Sequence, residues 1–281
     1  MTTPKKSAPT VQKVAEEANP SSITKIFAAL AIVVALAAGY LIYIFILGNP
    51  SNFEGGDSYA GHPLNMLGTI HKGGIAIVPI LMALNILVIL IGVERFITLG
   101  KSGGKAPAAD FIKSIRTSLN NNKVEDAMKA CDDQQGSLAN VVKTGLGRYK
   151  ELNSAKDMDK DAKIAALEKE LEEATSLELP MMSKNMSIIS TCASIGTLVG
   201  LIGTVFGMIK AFSALANAGA PDTAALAIGI SEALINTALG IICSALAIVC
   251  YNYFTNKIDG MTYSMDEAGY SIVGQFQSQK G

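Results

Sequence analysis

Four runs of residues, each long enough to cross a lipid bilayer, constrain this chain more than any other feature. They are Ile26–Gly48, Gly73–Val93, Asn185–Ile209 and Thr223–Asn256. A bilayer core about 30 Å thick takes roughly 20 apolar helical residues. Backbone groups in hydrocarbon must pair within their own segment, so each run is expected to be a helix. The first three runs carry no charged residue and the fourth carries one, Glu232. At about 1.5 Å per residue the fourth would reach about 50 Å, so it is expected to protrude or tilt. Hydrophobic residues make up 49% of the chain and charged ones 17%, with a mean hydropathy of +0.34. The expected fold class is an all-α integral membrane protein with four transmembrane helices, whose long helices extend into a cytoplasmic helical domain.

Lysines before the first run, Lys5, Lys6 and Lys13, would also suit a secretory leader. The apolar core exceeds the roughly 7–15 residues of a leader, so a retained span is expected. Basic residues then set the orientation. Lys5, Lys6, Lys13 and Lys25 precede the first run, and Arg95, Lys101, Lys105, Lys113 and Arg116 follow the second. The loop 49–72 holds one lysine, Lys72, and the link after the third run holds only Lys210. The expectation is a multi-pass protein of a bacterial inner (cytoplasmic) membrane with both termini cytoplasmic. Its divisions are a disordered cytoplasmic tail over 1–23, spans over 24–48, 73–99, 185–212 and 223–256, periplasmic loops over 49–72 and 213–222, a cytoplasmic helical domain over 100–184, and a cytoplasmic tail over 257–281.

Within the polar middle, Phe111, Ile112, Ile115 and Leu119 recur at helical spacing over Ala108–Asn120. Asn122 is placed to cap a second helix with Val124, Ala127, Met128 and Cys131 on its apolar face. Leu138, Val141, Val142, Leu146 and Tyr149 repeat the pattern after Gly136. Asp159–Lys184 reads as one long helix running toward the third span, with a kink at Pro180. Its charges read as a solvated face.

Several functions are disfavoured. A net charge of −1 gives no basic field for nucleic acid. The four cysteines lack metal-ligand spacing and read as free thiols, and His62 and His71 are isolated, so no metal site is expected. No phosphate-binding loop, zinc motif or nucleophile elbow is present, so an enzyme ranks last among the readings.

The third and fourth spans carry the informative pattern. Gly196, Gly200, Gly203 and Gly207 step by four, three and four, which puts them on one helix face. Small residues let helices approach where lipid supplies no hydrophobic drive between them. Thr197 and Thr204 also share a face; the plain alternative is that each hydroxyl bonds back to its own helix. Ala233, Thr237, Gly240, Ser244 and Ala247 form a second small-residue seam. Glu232 lies well inside an apolar run, where a carboxylate must be protonated, paired or wet. Asn236 stands one turn on and can share its surroundings. Such an acid marks an ion path or a partner contact, or else serves as buried helix glue.

The segment Gly200-Leu-Ile-Gly-Thr-Val-Phe-Gly-Met208, followed by Ser231-Glu-Ala-Leu-Ile-Asn-Thr-Ala-Leu-Gly240, resembles the MotA/TolQ/ExbB proton-channel family, closest to ExbB and TolQ. Val93-Glu-Arg-Phe96, with Glu94 and Arg95 at the cytoplasmic membrane boundary, and the helix Glu125–Cys131 extend the resemblance over about 73–253. It implies a homo-oligomeric ring, a pentamer, around the helices of a single-span partner similar to ExbD or TolR. That partner carries a protonatable aspartate, and this chain supplies the polar wall. Thr204 and Thr237 match the family's lumen-facing threonines and Glu232 its membrane glutamate. Thr197 and Asn236 would complete the lumen lining. Protons would be the coupling ion, no cofactor is implied, and energy would pass to a TonB-like or TolA-like protein.

Two departures stand out. The first span is additional to the three-span ExbB and TolQ pattern, and Thr197 occupies a place where the family often has proline. That first span has no small-residue seam as regular as those of the later spans, so it is expected to face lipid on the outside of the ring. Alternatives kept open are a TolQ-like subunit, a flagellar or gliding stator, and a passive membrane scaffold.

Overall fold

A computed structural model describes residues 22–58, 61–155, 158–216 and 223–278. Nearly all of the expected N-terminal tail, with Lys5, Lys6 and Lys13, and most of the link before the fourth span lie outside the described residues. Nine α-helices are assigned among those described: α1 Ser22–Leu41, α2 Met66–His71, α3 Val78–Ser102, α4 Ala108–Asn120, α5 Val124–Gln134, α6 Gly136–Ser154, α7 Lys160–Met182, α8 Met186–Ala216 and α9 Thr223–Ser278. No strand occurs among the described residues; Phe53 and Pro63 form one isolated bridge. Four helical stretches have the length and composition to cross a membrane: Ala29–Leu47, Val78–Ser102, Met186–Leu215 and Thr223–Ser278.

The described residues fall into two units, one of 22–94 and 185–252, the other of 95–184 and 253–278. In the first unit, α1 runs directly into a π-helical turn, Ile42–Leu47. Ala31, Ala35, Gly39, Tyr43 and Leu47 are buried, each four after the last. Steps of four drift by about 40° each around an α-helix. The wider π turn opposes that drift, which keeps Tyr43 and Leu47 in line with the small residues before them. This stripe is as regular as those of the later spans, a periodicity that the sequence reading missed. A Cβ on Gly39 would stand 2.7 Å from Pro79 O and 2.8 Å from Ala83 N, so α1 and α3 touch backbone to backbone.

The connection from α1 to α3 is folded. Asn52 is buried and donates through Nδ2 to the carbonyls of Ile46 and Leu47 at 2.8 and 3.0 Å, satisfying the end of the π turn. Asn65 donates to Asn52 Oδ1 and accepts from Gly68 N, capping α2. The His71 ring stacks on Tyr43, with centroids 4.4 Å apart, and meets Phe53 edge-on. Burial holds the His71 imidazole below its usual range; a backbone hydrogen bond involving Tyr43 opposes this and Lys72 adds to it.

In the second unit, α4 buries Phe111, Ile112, Ile115 and Leu119, α5 buries Ala127 and Cys131, and α6 buries Leu138, Val142, Leu146 and Tyr149. Gly145 on α6 lies against the side chains of Leu171 and Ile272. The Cys131 thiol is pushed up to about 12, chiefly by burial and then by the charge of Asp132.

Three further details differ from expectation. Residues 257–278 are no separate tail but the end of α9, which buries Ile258, Met265, Ala268, Ile272 and Phe276. Helix α7 passes through Pro180 and ends at Met182; the break comes at 183–185, where Asn185 is left-handed at φ 61°. Asn122 is also left-handed, at φ 57°, so Lys123 occupies the cap position before α5. Asparagine tolerates that conformation better than most residues, which suits it to both turns.

Candidate functional site

The site is built where α8 and α9 meet. Gly196 lies against Ser244 and Cys243, Gly200 against the backbone of Asn236 and Gly240, Gly203 against the Asn236 side chain, and Gly207 against Ala233 and Gly229. On the other helix a Cβ at Gly240 would stand 2.6 Å from Gly196 O and 2.9 Å from Gly200 Cα. The two backbones are therefore in direct contact through the glycines.

Three polar pairs flank this seam. Thr197 donates to Ser244 Oγ at 2.8 Å. Two helical turns along, Thr204 donates to its own helix at Gly200 O, which leaves Thr237 to donate to the Thr204 hydroxyl. Beyond them the Lys210 ammonium donates to both carboxylate oxygens of Glu232, at 2.7 and 2.9 Å. The seven-residue spacing from Thr197 to Thr204 and from Thr237 to Ser244 produces the first two pairs. Seven residues are close to two turns, so the two helices meet again in the same register.

Glu232 is buried, and it also neighbours the turn between α2 and α3. Gly74, at φ 99°, sits so close that a Cβ there would meet Glu232 Oε1. Asn236 is fully buried and donates through Nδ2 to Gly73 O at 2.9 Å, while its Oδ1 accepts no hydrogen bond. At Gly74 the left-handed backbone and the carboxylate overhead both require glycine.

Glu94 and Arg95 lie on α3. In the first unit, Asn185 Nδ2 donates to Glu94 Oε2 at 3.3 Å. In the second, Arg95 is buried and donates to Met182 O at 3.2 Å, at the carbonyl end of α7. A cationic donor is well suited to helix-terminal carbonyls.

Lys210 is the residue that sequence reasoning missed. It is the one cation between Lys184 and Lys257. That isolation was the available signal, because a lone cation and a lone carboxylate in adjoining apolar helices have reason to pair. Gly73 O is invisible in a sequence, being a backbone group. Among the described residues, no three His, Cys, Asp or Glu gather as a metal site.

Four apolar helices of bilayer length, two of them joined by a glycine seam with polar pairs, define a multi-pass membrane protein. Residues 133–267 match the MotA/TolQ/ExbB proton channel family. No curated protein matches the chain. The matched segment contains the whole α8–α9 seam from Gly196 to Ser244; α1 to α4, with Glu94 and Arg95, lie before it.

Proposed function

We propose that this chain is an ExbB-like subunit of a proton-motive-force-driven motor in the bacterial inner membrane, with both termini and the 100–184 segment cytoplasmic. Copies assemble as a homopentameric ring around the helices of a single-span ExbD- or TolR-like protein. The motor energises a TonB-like protein and through it TonB-dependent outer-membrane transport. The family match over residues 133–267 supports this reading, and so does the surplus of Lys and Arg on one side of the spans.

The observation that carries it is the Thr204–Thr237 hydroxyl pair. Both residues are half-buried, in a stretch where Leu201, Val205 and Leu234 are exposed. A hydroxyl both donates and accepts, so a linked pair can stabilise a protonatable group of a partner helix in either of its states. Thr197 with Ser244 extends the polar line, and Glu232 and Asn236 continue it at the other end. The partner's carboxylate would take up a proton on the outer side and release it on the inner side, turning or tilting against the ring as it does so.

Native mass spectrometry of the complex, gently extracted from its own membrane, tests the reading. Five copies of this chain with a substoichiometric single-span partner bearing a membrane aspartate are expected. A monomer, or an oligomer lacking such a partner, would favour the scaffold. A peptidoglycan-binding domain on the partner would favour a stator instead.

A further inference from the structure

We propose that Lys210 acts as a tethered cation that occupies the Glu232 carboxylate and keeps alkali ions out of it. The inference rests on the motor reading above and adds a specificity determinant to it.

A buried ionised carboxylate without a positive partner is strongly unfavourable, so Glu232 in its charged form calls for a cation. The surroundings offer oxygen for one. Both Glu232 oxygens and the unpaired Oδ1 of Asn236 belong to one face of α9, a single turn apart, and Gly73 O reaches the Asn236 amide. Hard cations prefer sets of carboxylate and carbonyl oxygens such as these. In this chain the position is taken, because the Lys210 ammonium stands 2.7 and 2.9 Å from the two carboxylate oxygens. Among the described residues of α8, α9 and the Gly73–Gly74 turn, no other charged side chain pairs with Glu232. His71 and Lys72 precede that turn in the chain.

A tether changes the competition. An ammonium on the same molecule acts at an effective concentration of about millimolar or higher, whatever the salt outside. Sodium must displace it to enter. The Lys210 side chain is itself 62% exposed. The ion pair thus resists displacement by a metal ion.

The test is thermal unfolding of the full chain in nanodiscs, in sodium chloride and in choline chloride at equal ionic strength. The wild-type chain is expected to give the same Tm in both. Lys210→Met is expected to gain about 3 °C in sodium at tenfold excess over its Kd, a gain abolished by adding Glu232→Gln. Should Lys210→Met fail to fold, acetic anhydride applied to the folded wild-type chain neutralises the exposed ammonium, with Glu232→Gln as control. Sodium-specific stabilisation of the untreated wild type would overturn the proposal. So would a folded Lys210→Met, or an acetylated chain, that shows no sodium effect. Proton flux in proteoliposomes holding the whole complex is read separately. Its absence would remove the motor reading while the binding experiment still decides the role of Lys210.

Discussion

The rings of Tyr149 and Phe276 meet edge to face, 5.0 Å apart and at 78°, so the last turns of α9 are fastened to α6. Both side chains are buried. Phe276→Ala is expected to cost about 3–5 kcal/mol in the stability of this unit. Chemical denaturation followed by circular dichroism would show it, and an unchanged midpoint would mean that the end of α9 is not packed there.

Gly240 and Gly100 give opposite expectations for the same substitution. A Cβ at Gly240 meets the backbone of Gly196 and Gly200, whereas one at Gly100 meets nothing within 4 Å. Gly240→Ala is expected to destabilise by about 1–3 kcal/mol through overpacking. Gly100→Ala is expected to stabilise by up to about 1 kcal/mol through helix propensity. Parallel unfolding curves of the two variants decide the matter; equal effects would contradict the backbone contact.

Thr204→Val and Thr237→Val remove the shared hydroxyl bond while nearly conserving shape. Interhelical hydrogen bonds in membranes average about 0.6 kcal/mol, so the assembly is expected to survive. Energy transfer to the outer membrane is expected to be lost in both. Measuring TonB-dependent uptake alongside the native mass of the complex separates the two effects. Full uptake would take the pair out of the proton path. In the same assay, an unaltered Thr197→Val would remove Thr197 from it.

Buried His71 predicts a pH dependence with a definite sign. Its folded-state pKa lies below the ordinary 6.5, mainly through burial. As pH falls through 6.5 the unfolded chain takes up the proton first, so the contribution of His71 to stability declines. The decline continues down to the folded-state value and then levels off. His71→Phe keeps a ring against Tyr43 and has nothing to titrate. The wild type is therefore expected to lose more stability than this variant between about pH 7.5 and 5.5. Identical losses would show that His71 is not buried in its neutral form.

The four apolar helices were legible in the sequence because charge is absent from their cores over the whole bilayer thickness. The glycine face of α8 was legible because its steps of three and four match the helical repeat. The end of α9 was not. Asp259, Asp266 and Glu267 lower the hydropathy there, while Ile258, Met265, Ile272 and Phe276 still supply one buried face. The stripe on α1 escaped notice for another reason. A strict step of four wanders around an α-helix, and only the π turn at Ile42–Leu47 brings Tyr43 and Leu47 back into line. Lys210 and Glu232 lie 22 residues apart on different helices, so the isolation of each charge in its apolar run was the one sign of their pairing.

The backbone contact between Gly39 and Pro79–Ala83 also bears on how the protein is made. When α1 leaves the ribosome, the segment it will dock on, 40 residues behind, has not yet emerged. Until then the notch formed by Ala31, Ala35 and Gly39 can be filled by acyl chains, which are as apolar as the helix itself. Docking therefore gains little from hydrophobicity and depends on the fit of two complementary surfaces. A larger residue at position 39 would leave α1 inserted in the bilayer but unable to close on its neighbour, a defect of assembly rather than of insertion.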